Sequence, residues 1–209
     1  MPRKRKDGGA PPVNLRRMYV DCRYGQLHLR SAFPSNGGFD ELTTLVCLSP
    51  GSTSSRIFVG FLALMGSDRS VYAPNMPGCG ESDGPAPRAS IAEHAGAIGD
   101  FLDHMRFRQV DLLAYQGGAS LAAALAAARP QQVRRVILVE PQDLGASADS
   151  PVVQQPVLVL RPKEGPAGVA PRLKDLLPNA RRVDLAEPAR DLFQMAPEVV
   201  ARRARAFLD

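Results

Sequence analysis

At 209 residues, with 44% apolar and 22% charged side chains, the chain has the length and make-up of one ordinary globular domain with a substantial core. Its net charge of +5 resides in residues 1–17, where Arg3, Lys4, Arg5, Lys6, Arg16 and Arg17 outnumber Asp7, so that residues 18–209 balance to zero. A neutral body argues against a nucleic-acid-binding domain, which needs basic residues spread over a folded face. No apolar run approaches the roughly 20 residues of a membrane span.

The first seventeen residues, with Gly8, Gly9, Pro11 and Pro12 among the charges, read as a disordered basic arm. A solvated tail is the plain reading, and contact with nucleic acid or anionic lipid is the alternative. No apolar segment follows the basic residues, so the arm is not a secretory signal. Residues 18–209 are expected to form a single domain.

From there strand-like and helix-like stretches alternate. Met18–Arg23 and Gln26–Phe33 read as a hairpin through Tyr24-Gly25, and Thr44–Leu48 as a buried strand. Ser49-Pro50-Gly51 then leads to an amphipathic helix with Ser54 as its cap and Phe58, Phe61, Leu62 and Met65 on one face. Ser70–Ala73 is a strand running into a turn-rich stretch from Pro77 to Pro85. Ser90 and Glu93 form a capping box, opening a helix with Ile91, Ile98, Phe101, Leu102 and Met105 on its apolar side. Val110–Ala114 is a strand, and an alanine-rich helix spans Gly117 to Arg129 and stops at Pro130. Val136–Val139 and Val157–Leu160 are further buried strands. A helix near Pro171–Leu177, a strand at Arg182–Leu185 and a helix from Pro197 to Leu208 finish the chain. Apolar strands alternating with helices specify an α/β fold, a mostly parallel sheet with helices on both faces.

Cys22, Cys47 and Cys79 are odd in number and lack metal-ligand spacing, as do the three histidines. No metal or cofactor is expected, and a reducing cytoplasm is the simplest setting.

The stretch that carries chemistry is Ala114-Tyr115-Gln116-Gly117-Gly118. A strand that turns sharply into a helix needs small residues two before and two after the tip. The tip residue takes a strained backbone conformation and stands at the carboxyl edge of the sheet. Ala114 and Gly118 meet that requirement, with Gln116 at the tip. This segment resembles the nucleophile elbow of the α/β-hydrolase family. Two further segments agree in order: Leu48-Ser49-Pro50-Gly51-Ser52, at the family's oxyanion-side loop, and Pro77-Gly78-Cys79-Gly80-Glu81-Ser82-Asp83, similar to its turn after the fourth strand.

Against that pattern the catalytic positions are substituted. The nucleophile position holds Gln116, whose amide cannot serve as a nucleophile at neutral pH. The acid position after Val157–Leu160 falls on Gly165, with Glu140 at the end of the preceding strand as a substitute. The base position, counted back from the final helix, falls near Arg190, which cannot accept a proton near neutral pH. Glu140 and Arg190 could form an ion pair across the site, or Glu140 could be a plain strand-end carboxylate. His28, His94 and His104 are remote in sequence from the base position. What persists is a pair of N–H groups, on Gly51 and Gly117, able to hold a carbonyl or carboxylate ligand. The connection from Glu140 to Gln155 is too short for the helical lid that the family commonly inserts. The site would then be open to solvent or covered by a second copy in a homodimer. The resemblance thus implies a non-catalytic ligand- or partner-binding protein. The alternatives are a lyase or isomerase that uses the N–H pair without a covalent step, and a divergent esterase.

Overall fold

Aliphatic strands that send successive side chains to opposite faces build one eight-stranded sheet. In β5 (Val110–Tyr115), Leu112 and Ala114 join the core on one face while Leu113 and Tyr115 join the core on the other. β3 (Thr44–Leu48) divides the same way, Val46 and Leu48 against Leu45 and Cys47. The computed structural model describes residues 13–35, 41–51, 53–84, 89–142, 144, 150–162, 173–187 and 191–209.

The remaining strands are β1 (Val13–Cys22), β2 (Gly25–Pro34), β4 (Val71–Pro74), β6 (Val133–Val139), β7 (Val157–Pro162) and β8 (Ala180–Leu185). Their spatial order is β1-β2-β4-β3-β5-β6-β7-β8. β1 pairs with β2 and β2 with β4 antiparallel, and every later pair is parallel. β1 starts at Val13, so residues 13–17 belong to the sheet and not to the arm to which their charge assigned them. An edge strand can carry arginines, because one side of its ladder meets water. Arg16 pairs with Ser31 in register and its guanidinium lies 5.2 Å from the Phe33 ring centroid.

A short 3₁₀ turn (Ser55–Phe58), capped by Ser54 as expected, leads into α1 (Val59–Met65). α2 (Ile91–His104) opens on the Ser90–Glu93 capping box, and α3 (Gly118–Ala128) follows the elbow. α4 (Leu173–Leu176) and α5 (Leu192–Met195) are single turns, and α6 (Pro197–Leu208) closes the chain. α2 and α3 cover one face of the sheet through Ile98, Phe101, Leu102, Leu121 and Leu125. α1 and α6 cover the other through Phe61, Leu62, Met65, Val200 and Ala204. Between β6 and β7 none of the described residues is helical, and the described residues include no cap domain over the sheet.

This connectivity decides where a ligand can bind. The chain leaves β3 toward α1 on one face and leaves β5 toward α3 on the other. The carboxyl ends of these adjacent strands therefore diverge and open a crevice between them, the position at which open α/β sheets bind ligands.

Candidate functional site

Two loops meet at that crevice. From β3 comes Ser49-Pro50-Gly51, folded by Thr53 N–H donating to Pro50 O at 2.9 Å and Ser49 Oγ donating to Thr53 O at 2.9 Å. From β5 comes Gln116, at φ +47°, a left-handed conformation that a glutamine adopts only under constraint. The constraint is visible in its partners. Gln116 N donates to Val139 O at 2.9 Å, while its own carbonyl accepts from Ala119 N and, at 3.3 Å, from Gln142 N. Gly118 has to be small, since a Cβ there would lie 2.6 Å from Leu48 O. At Gly117 a Cβ would lie 3.7 Å from Pro50 Cβ, so the two loops adjoin. Among the described residues no acceptor takes the N–H of Gly51 or Gly117. Gly51 is exposed and Gly117 half-buried, which leaves both reachable from solvent.

The turn after β4 supports this arrangement. Cys79 Sγ donates to the carbonyl of Gly51. Ser82 Oγ and Asp83 Oδ2 accept the N–H groups of His28 and Gln26 at 2.9 and 2.8 Å, which ties the turn to β2. Gly78 and Gly80 take positive φ within it. The motif is thus a brace for the Gly51 loop. His28 is built into the same brace: buried, with Nδ1 3.1 Å from Asn75 Nδ2, and held below the usual histidine range by burial, against the pull of Glu81. Its Nε2 lies 3.3 Å from Glu81 Oε2 but lacks hydrogen-bond geometry.

The Gln116 side chain is directed to its neighbour on the strand. Its Nε2 donates to Tyr115 Oη at 2.9 Å. Tyr115 is 6% exposed, packs edge-on against Phe193 of α5 at 5.1 Å, and has its phenol pushed up to about 12, by burial first and by the charges of Glu140 and Asp191 after it. Glu140, at the end of β6, also takes positive φ (+48°). Its Oε1 is buried without a hydrogen-bond partner among the described residues. Burial raises its carboxyl above the usual range, the Gln116 amide pulls it back, and Asp191 adds to the rise. Asp191, at φ +51°, opens α5 with no capping bond from its side chain. Gln116, Glu140 and Asp191 are three of the four described non-glycine residues at positive φ, and all three meet at this edge.

Of the positions singled out in the sequence, Gln116, Glu140, Gly51 and Gly117 are therefore brought to one edge of the sheet. Gly165 and Arg190 lie outside the described residues, as does the proposed Glu140–Arg190 pair. Tyr115 and Asp191 belong to the site and were not singled out. Tyr115 is a variable position of the elbow pattern, and Asp191 falls in a stretch whose register the distance from α6 leaves open by a few residues. Glu140 is no free surface carboxylate, because one of its oxygens is buried.

Two cavities lie away from this edge. One of about 540 Å³ is lined by Glu41, Thr43, Arg106 and Arg108 among others, where the chain enters β3 and β5. One of about 190 Å³ lies between Leu15, Arg30 and Leu62. Neither reaches the elbow, and the fold places chemistry at the carboxyl ends of the strands, so we locate the site there. Among the described residues no group of three or more His, Cys, Asp or Glu side chains could hold a metal ion. None of their helices is long and apolar enough to cross a membrane.

A family model described as alpha/beta hydrolase fold matches residues 43–193. No curated protein matches the chain. Among solved structures, naproxen esterase of Bacillus subtilis superposes with a TM-score of 0.79 at 15% identity, over 96% of this chain and 93% of its own. The carboxylesterase CesB of the same organism gives 0.76 at 17% identity, over 94% and 92%. Cfl2 of Burkholderia cenocepacia gives 0.78 at 17% identity, over the whole of both chains. At such identities the likeness is one of fold.

Proposed function

The chain belongs to the alpha/beta hydrolase fold family, and on that premise we propose that its elbow site binds a small ligand without forming a covalent bond to it. The observation that carries this reading is the side chain at the tip. Gln116 occupies the strained position from which the family's nucleophile attacks, and an amide has neither an ionisable proton nor a nucleophilic oxygen. Its Nε2 is engaged with the Tyr115 hydroxyl, an arrangement for holding a polar group in place. The N–H groups of Gly51 and Gly117, with the N-terminus of α3 behind them, form the part of an oxyanion hole that can bind a carbonyl oxygen without attacking it.

The raised carboxyl of Glu140 favours a second reading, an enzyme that moves a proton without a covalent step. The esterases of similar fold make hydrolysis the outcome to exclude first. Hydrolysis of p-nitrophenyl acetate by the wild type should not exceed that in buffer. Gln116→Ser should leave it there, because a serine without a base keeps its proton. A gain of about a hundredfold or more in the variant would reveal a base in the site and overturn the proposal.

A further inference from the structure

A second site is built where the β1–β2 hairpin meets α1. In the register of the two strands Leu15 stands opposite Ala32 and Arg17 opposite Arg30. Directly opposite residues of an antiparallel pair share a face, and so do residues two apart on one strand. Ala32 belongs to the core under α1, so Leu15, Arg17 and Arg30 lie on the face that α1 covers. Past its last turn the helix closes on the hairpin: a Cβ on Gly66 would lie 2.6 Å from Ala32 Cβ and 2.7 Å from Val13 Cγ1. Toward the start of α1 the two separate. There a cavity of about 190 Å³ opens between Val59 and Leu62 of the helix and Leu15, Arg17 and Arg30 of the hairpin. Arg16 borders it too, with its guanidinium over the Phe33 ring.

Nothing among the described residues neutralises the cationic wall. Arg17 and Arg30 are like charges directly opposite each other, an arrangement that destabilises a sheet. Neither forms an ion pair with a described carboxylate. The Nε–H of Arg30 is buried and has no acceptor among the described residues. A buried donor left without an acceptor is costly, and a ligand that supplies the acceptor removes that cost. The other wall is apolar, with Leu15 and Val59 exposed and Leu62 buried.

We propose that this cavity binds a small organic carboxylate, its apolar body against Leu15, Val59 and Leu62 and its head group between Arg17 and Arg30. The Arg30 guanidinium offers its Nε–H and a neighbouring N–H as a fork that matches the two oxygens of a carboxylate. The volume limits the body. A cavity of about 150 Å³ holds a benzene ring, and pockets for drug-sized ligands start at about 300 Å³, so a single ring or a short chain fits here. The site is separate from the elbow and does not rest on the reading of it.

The test compares three probes of one shape by NMR titration of the intact protein at neutral pH: benzoate, benzamide and benzylamine. Benzoate should shift the backbone amides of Leu15, Arg17, Arg30 and Val59. At those residues benzamide should bind about tenfold more weakly or worse, and benzylamine, a cation, should not bind. Arg17→Gln changes an exposed residue, and Arg30→Met keeps an unbranched side chain against α1. Each should weaken benzoate about tenfold or more. If Arg30→Met fails to fold, Arg17→Gln decides alone. No shift with benzoate, an equal response to all three probes, or benzoate binding indifferent to the substitutions overturns the inference. Benzoate shifts confined to Gln116 and Gly117 overturn it as well, and leave the reading of the elbow standing.

Discussion

At the scale of single residues, the site is made of groups held where they are not most stable. Gln116, Glu140 and Asp191 all adopt left-handed backbone, which costs a non-glycine residue about 1 kcal/mol or more. Glu140 also has a buried oxygen that is unpaired among the described residues, and its burial penalises the ionised form. The consequence for stability has a definite sign. Because the folded pKa lies above the unfolded one, the folded chain binds more protons between the two values. Stability from this group is therefore full below the ordinary glutamate range and is lost as pH rises through the folded pKa. Glu140→Gln removes the penalty, so thermal melts at pH 7 should show a higher Tm than the wild type, with the gap closing toward pH 4. A lower Tm at pH 7 would mean that the carboxylate is stabilised by a partner. Sites kept for binding commonly trade stability in this way. Gln116, Gly117 and Gly118 were legible in the sequence because the elbow imposes a steric rule on them. Asp191 was not, since nothing in its own neighbourhood marks a carboxylate that acts across the sheet edge.

At the scale of elements, the opposite end of the sheet is organised by satisfied charge. Asp111 of β5 is fully buried and accepts from Arg134 of β6 at 2.9 and 2.6 Å, and Arg134 also donates to Leu208 O at the end of α6. Arg69, 1% exposed, joins Asp68 and Asp209, and Arg205 of α6 joins Asp68 as well. These pairs fasten the last helix to the start of the sheet. Arg134→Ala would leave the Asp111 carboxylate buried without its cation and should cost about 3–5 kcal/mol. Asp103→Ala, which breaks the solvent-facing pair with Arg129, should cost under about 1 kcal/mol. Equal losses in urea melts would contradict this division. Elements with local signals were readable in advance. The capping box placed α2, and Pro197 with the spacing of Val200, Ala204 and Leu208 placed α6. β1 begins earlier than expected because register with β2, not composition, sets its start. α5 has only four residues, too few for periodicity. Its Leu192 and Phe193 are buried against the Tyr115 side of the sheet, a tertiary contact that the sequence does not announce.

At the scale of the whole molecule, the hydrolase scaffold is present with its characteristic strand order, its elbow and its braced loop after β3. The fold was legible because three motifs occur in order within an alternating β/α pattern. The surroundings of the elbow were less so, because they depend on which side chains converge from β5, β6 and α5. Glycine N–H groups alone suggested a carbonyl or carboxylate, and the sequence does not announce that Tyr115 and Glu140 stand beside them. Non-covalent binding at the elbow requires that no competent nucleophile stand there. Its most direct test is the intact mass of the wild-type protein after prolonged exposure to a fluorophosphonate, which phosphonylates an activated serine. The mass should be unchanged. A single stoichiometric adduct on a defined serine, formed in step with loss of an esterase activity, would contradict it.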